Sequence, residues 1–221
     1  MSKPGTNLSR IAIVLTAHPQ QQKWWAPVLL SLERYSGPLI LSYDDRDCSA
    51  IPPEILSRFS TVAATGYPAG HLGLSTGELV CLREGFDAAT DLGVEYVLKL
   101  GFDEPVWRWR NVAKLAERLE TEGLDIIDCE TRIIFGRPLA LWRVMTVIDV
   151  EKRIGGSAEG YWTTSVGQRK LKRLRIDDRL YWEHLLGVIH VQGEYAANCG
   201  QSNRWSWTIG EIWPRDQEVQ R

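Results

Sequence analysis

The chain has 221 residues, a formal net charge of −2 and 24% charged side chains. That length buries one full core, and the near-neutral balance excludes both bulk charge-driven nucleic-acid binding and wholesale disorder. Cys48, Cys81, Cys129 and Cys199 form neither a C-x-x-C pair nor a zinc spacing, so they read as reduced structural thiols of a cytosolic protein.

The amino terminus MSKPGTNLSR is polar. The apolar run behind it, Ile11 to Leu15, is far shorter than a signal-peptide core with its flanks or a membrane span, so a soluble, cytoplasmic protein is expected. That run ends at Thr16, Ala17 and the breaker Pro19, the pattern of a strand buried on both faces. Trp24, Trp25, Val28, Leu29, Leu32 and Tyr35 recur at helical spacing up to Gly37-Pro38, with Pro27 delaying the start. PLILSYDD repeats the strand pattern and delivers Asp44 and Asp45 at its end. Two parallel strands joined by a helix make a right-handed βαβ unit.

After a proline-rich link, Ser75-Thr76-Gly77-Glu78 has the spacing of a capping box, with Ser75 at the N-cap. Leu79, Leu82, Phe86 and Ala89 carry the apolar face of that helix, and Gly93 fits its stop. EYVLKLGFDEP (95–105) then reads as a buried strand whose loop presents Gly101, Asp103, Glu104 and Pro105. Ligands of α/β proteins gather beyond the carboxyl ends of strands, so these two carboxylates are placed to hold a divalent metal and, through it, phosphates. An ordinary solvated turn is the alternative. A helix over Asn111–Glu122 turns Val112, Leu115, Ala116 and Leu119 inward and ends at Gly123. LDIIDCETRIIF supplies one or two strands.

Beyond residue 150 the alternation weakens. Gly155-Gly156-Ser157 and the basic run RKLKRLR (169–175) precede a short helix in IDDRLYWEHLLG with Leu180 and Leu185 inward, and VIHVQG (188–193) reads as a last strand. Ten tryptophans are present, and Trp205, Trp207 and Trp213 form a candidate aromatic platform for sugar faces or bases. The order predicts an α/β/α sandwich with a mainly parallel central sheet, one domain over 1–221.

The strand ending LTAHP, the strand ending LILSYDD, the helix-to-strand stretch REGFDAATDLGVEYVLKL and the acidic loop after it resemble the GT-A-type nucleotide-sugar glycosyltransferases, in particular the family-2-like group. The resemblance covers about residues 10–110, and it departs where the family carries D-x-D: Gly101-Phe102-Asp103 lacks the first acid, and Glu104 follows. The resemblance implies a Rossmann-like, GT-A-like fold, with 10–110 as the nucleotide-sugar-binding half and 111–221 as the acceptor-side half. Thr16, Ala17 and His18 would border the base, Asp44 or Asp45 would bond the base or ribose, and Arg83 would lie near the sugar or diphosphate. Asp103, Glu104 and His190 would hold Mn²⁺ or Mg²⁺.

Glycosyl transfer builds negative charge on a departing nucleoside diphosphate while an acceptor hydroxyl attacks an oxocarbenium-like centre. A hard cation on Asp103 would neutralise that charge. The run 169–175 could clamp a diphosphate or an anionic acceptor, or form a solvated surface. An inverting enzyme also needs a base, for which IDDRLYWEH offers Asp178 and Glu183; five residues apart, they do not share a helix face. Asp178 could equally cap the helix. The Gly70-His71-Leu72-Gly73 stretch reads as a backbone nest for phosphate or as a mobile loop. The expected partners are a nucleotide-diphosphate sugar and an unidentified acceptor: a saccharide, lipid-linked glycan, protein or modified nucleic acid. A nucleotidyltransferase on a similar fold and a non-catalytic nucleotide or carbohydrate binder are the alternatives.

Overall fold

The computed structural model describes residues 8–18, 25–101, 104–146 and 157–187. Its strands are β1 (Ile11–Ala17), β2 (Leu39–Tyr43), β3 (Thr61–Ala64), β4 (Tyr96–Gly101), β5 (Ile126–Cys129), β6 (Ile133–Gly136) and β7 (Arg173–Arg175). Among the described residues they form one seven-stranded sheet in the order β3-β2-β1-β4-β6-β5-β7. Only β6 runs against its neighbours; the remaining pairings are parallel, as the sequence predicts. The helices are α1 (Trp25–Leu32), α2 (Pro53–Leu56), α3 (Leu74–Asp91), α4 (Val112–Thr121), α5 (Pro138–Met145), α6 (Ala158–Gln168) and α7 (Arg179–Leu186). Among the described residues no helix is long and apolar enough to cross a membrane.

The uninterrupted apolar strands follow from covering both faces of the sheet. Ile11, Ile13 and Leu15 of β1 join Leu29 of α1, Leu115 of α4 and Trp182 of α7 in one core. Ala12 and Val14 face the other way, into a core with Leu79 and Phe86 of α3, Leu141 of α5 and Trp162 of α6. α3 comes unusually near the sheet: a β-carbon on Gly85 would stand 2.5 Å from Val14 Cγ1. Only glycine permits that approach.

Several local expectations are corrected. The predicted capping box does not form, because Gly73, at φ +75, takes the N-cap and α3 begins at Leu74. Ser75 and Glu78 thus lie inside the helix, where Glu78 meets Lys99. α1 stops at Leu32, where the Tyr35 amide closes a turn on the Leu32 carbonyl at 2.9 Å, well before Gly37. In α7, Trp182 and Leu186 are buried while Leu180 is 52% exposed, since two residues on a helix are about 200° apart. α5 and α6 are additions to the predicted elements, although Pro138 at the start of α5 and the Ser157 cap of α6, which accepts the Gly160 amide, are ordinary helix starts.

The basic run is largely used by the fold itself. Arg173 on the edge strand β7 reaches the fully buried Asp128 through two 2.8 Å bonds, and Trp162 Nε1 donates to the same carboxylate at 3.1 Å. Arg175 pairs with Glu130 and Asp177.

Candidate active site

The chain lays down β1, β2 and β3 outward in one direction, then returns to place β4 on the other side of β1. At such a switch point the loops leaving the two central strands diverge and open a crevice at their carboxyl ends. A cleft of about 330 Å³ occupies that position. Thr16, Ala17 and His18 line it from the end of β1, and Lys99, Gly101 and Glu104 from the end of β4. Ser75, Glu78 and Cys81 enter from the first turns of α3, and Ala158 and Glu159 from the first turn of α6. Two helix amino termini therefore face the cleft, each the positive end of a macrodipole.

Asp44, just past the end of β2, lines the cleft at 6% exposure, with His18 Nε2 3.6 Å from its Oδ2. Burial pushes the Asp44 carboxyl above its usual range, against the opposing pull of His18. Its carboxylate lies over the first turn of α3, where a β-carbon on Gly77 would meet Oδ2 at 2.8 Å.

On the β4 side the lining is built around Lys99, whose side chain is 2% exposed. Its ammonium donates to the Thr131 carbonyl and, at 3.3 Å, to the Arg132 carbonyl, and lies 3.7 Å from Glu78 Oε1. Thr131 and Arg132 form the β5–β6 turn and also line the cleft. Neither Lys99 nor Arg132 is among the residues singled out from sequence, yet a lysine inside the apolar strand YVLKLG was a usable signal. A charge in a strand core must find partners or a cavity.

Glu104 is 4% exposed and accepts the Gly101 amide at 2.9 Å, closing the turn after β4. Among the described residues no group of three histidines, cysteines or acids is arranged to hold a metal ion. Asp103 and His190, two of the three predicted metal ligands, lie outside the described residues, as do the strand expected over 188–193 and the tryptophans at 205, 207 and 213. The cleft lining carries the carboxylates of Asp44, Glu78, Glu104 and Glu159 against the cations Lys99 and Arg132.

The remaining predicted residues are placed as follows. Asp45 accepts the Asp47 amide at 3.1 Å and does not line the cleft. Arg83, further along α3, pairs with Glu84 at 2.7 Å and does not line the cleft. Asp178 takes the capping alternative: its Oδ1 accepts the Leu180 amide at 2.9 Å, and it too lies outside the lining. Glu183 belongs to α7, and its side chain lies outside the described residues. His71 is exposed and stacks on Tyr67 with ring centroids 6.0 Å apart.

No protein-family model matches the sequence, and no curated protein matches it. Solved structures do resemble it. One, from Desulfovibrio desulfuricans, is described provisionally as a nucleotide-diphospho-sugar transferase and aligns at TM-score 0.54 and 17% identity, over 96% of this chain and 97% of that one. Another, a cytidylyltransferase from Leptospira borgpetersenii, aligns at TM-score 0.53 and 12% identity over 96% of this chain and 95% of that one. The sheet and its flanking helices thus have the fold seen in these proteins.

Proposed function

We propose that the protein is a GT-A-like glycosyltransferase that takes a sugar from a nucleotide-diphosphate donor. The observation that carries this reading is the cleft across the β1/β4 switch point, lined by the buried Asp44 carboxylate beside the His18 imidazole and by the cations Lys99 and Arg132 from β4 and the β5–β6 turn. Such a site suits a ligand with a polar heterocycle at one end and phosphates at the other. The fold shared with a protein provisionally described as a nucleotide-diphospho-sugar transferase supports it. The fold is shared equally with a cytidylyltransferase, so nucleotidyl transfer is the competing chemistry. Holding a triphosphate for that reaction favours a glycine-rich nest of backbone amides after β1, and this chain has no glycine between Thr16 and Gly37.

In this reading Asp44 and His18 orient the base, with Thr16 and Ala17 against it and Asp45 near the ribose. Four cleft carboxylates against two cations leave an excess of negative charge, which suits a divalent cation alongside an anionic ligand. Glu104, with Asp103 beside it in the sequence and His190 from the carboxy-terminal segment, would hold Mn²⁺ or Mg²⁺, which when bound neutralises charge on a departing diphosphate. Glu159 lines the cleft at the start of α6 and is the described carboxylate best placed to take the acceptor's proton, ahead of the capping Asp178. Glu183 is the second candidate.

The test is product analysis with uridine, guanosine, cytidine and thymidine diphosphosugars in the presence of Mn²⁺, paired with a thermal-shift screen of the same compounds. Release of a nucleoside diphosphate with one base is expected. Release of pyrophosphate from a nucleoside triphosphate would replace this reading with nucleotidyl transfer, and binding without turnover would make the protein a binding module.

A further inference from the structure

We propose that Arg132, on the β5–β6 turn, grips the phosphates of the cleft's ligand, and that the buried ammonium of Lys99 positions it to do so. This deepens the glycosyl-transfer reading by assigning the diphosphate end of the donor, and it rests on that reading for the identity of the ligand.

Two cations line the cleft, and they differ in what already holds them. Lys99 is engaged by the Thr131 and Arg132 carbonyls and by Glu78. Of the basic run, Arg173 is paired with Asp128, and Arg175 with Glu130 and Asp177. Arg132 is half-buried, lines the cleft, and its guanidinium enters no ion pair among the described residues. It is the cleft cation that a ligand meets.

The backbone beneath that guanidinium is held from several sides. The Arg132 amide donates to the Cys129 carbonyl at 3.2 Å, and its carbonyl accepts from Lys99. One residue before Thr131, the Glu130 amide donates to Asp128 Oδ1 at 3.2 Å, while the Glu130 side chain is paired with Arg175 at 2.6 Å. The turn is thus tied to β4, β5 and β7 together. A planar guanidinium on so fixed a base loses little freedom on binding, and its fork of donors matches two phosphate oxygens. Lys99 also occupies the lone pairs of two carbonyls that would otherwise repel an anion at this edge. The first turn of α6 also lines the cleft and brings the positive end of its dipole to it.

The experiment measures calorimetric binding of inorganic pyrophosphate and of uridine, guanosine, cytidine and thymidine diphosphates, with Mg²⁺ present throughout. The proteins are the wild type, Arg132→Gln, Arg132→Lys and the exposed-surface control Arg143→Gln. Losing one charge-assisted bidentate contact should weaken pyrophosphate and the preferred diphosphate by about tenfold to a hundredfold in Arg132→Gln. Arg132→Lys should recover part of the loss and Arg143→Gln should bind as the wild type, all four melting within about 3 °C of one another. Lys99→Met should weaken the same ligands while leaving affinity for the free nucleoside unchanged, a split that general loosening of the cleft would not give. Wild-type affinity in Arg132→Gln overturns the proposal, and so does a wild-type protein that binds none of these phosphates. Pyrophosphate binding through Arg132 in a protein that transfers no sugar would sink the glycosyl-transfer reading alone. Sugar transfer undisturbed in Arg132→Gln would sink this assignment alone.

Discussion

The carboxylate of Asp44 rests against the backbone of Gly77 so closely that a β-carbon there would stand 2.8 Å from Oδ2. The end of β2 and the first turn of α3 are therefore locked together at the cleft by the absence of a side chain.

Two substitutions in α3 should separate this contact from ordinary packing. In Gly77→Ala the new methyl meets the far end of a side chain that can rotate away, so stability should change by less than about 1 kcal/mol while nucleotide affinity falls. In Gly85→Ala the methyl meets Val14 in a filled core, 2.5 Å away, and should cost about 1–2 kcal/mol after the gain in helix propensity. Urea unfolding with nucleotide titration reads both, and the reverse ranking would refute the distinction.

Asp44 should also carry a stability cost that depends on pH. Its carboxyl is raised in the folded state, chiefly by burial, so the folded chain holds that proton more tightly than the unfolded chain does. The stabilisation from this proton is complete below the unfolded carboxylate range and is lost as pH rises through the folded value. Asp44→Asn should accordingly melt higher than wild type at neutral pH, with the gap closing as pH falls below about 4, and should bind nucleotides less well. A variant that melts lower at neutral pH would contradict the direction of the shift.

At the other edge of the sheet, Asp128→Ala leaves Arg173 and the Trp162 indole facing a cavity without their acceptor. Removing one partner of a buried pair costs about 3–5 kcal/mol, and chemical denaturation should show a loss in that range. A loss below about 1 kcal/mol would mean that water replaces the carboxylate readily.

Lys170 follows the carboxyl cap of α6 with φ +54, a position where glycine is the unstrained residue. Lys170→Gly should stabilise the protein by about 1 kcal/mol in the same assay, despite removing a charge from the basic run.

The first half of the fold was legible because its signals are local. Ile11 to Leu15, Leu39 to Leu41 and Tyr96 to Leu98 are continuous apolar runs, and the breakers Gly93 and Gly123 follow the ends of α3 and α4. The acidic ends of β2 and β4 were readable for the same reason: strand termini in this layer order face a shared crevice. The second half depends on pairings between distant segments. That Arg173 would be absorbed by Asp128, 45 residues away, is written in no local pattern of the basic run. Arg132 was hidden likewise, because its place at the cleft depends on β6 turning back beside β4. Ser75 looked like the N-cap of a capping box from spacing alone, and Gly73 displaced it by taking up a backbone angle that other residues avoid.

The three-residue connection between β5 and β6 also bears on how this scaffold can diversify. Lysine 99 holds two consecutive carbonyls of that connection, so an inserted residue would shift one of them off the ammonium and turn the neighbouring side chain away. Proteins sharing this scaffold would then keep this corner at fixed length and diversify in other loops.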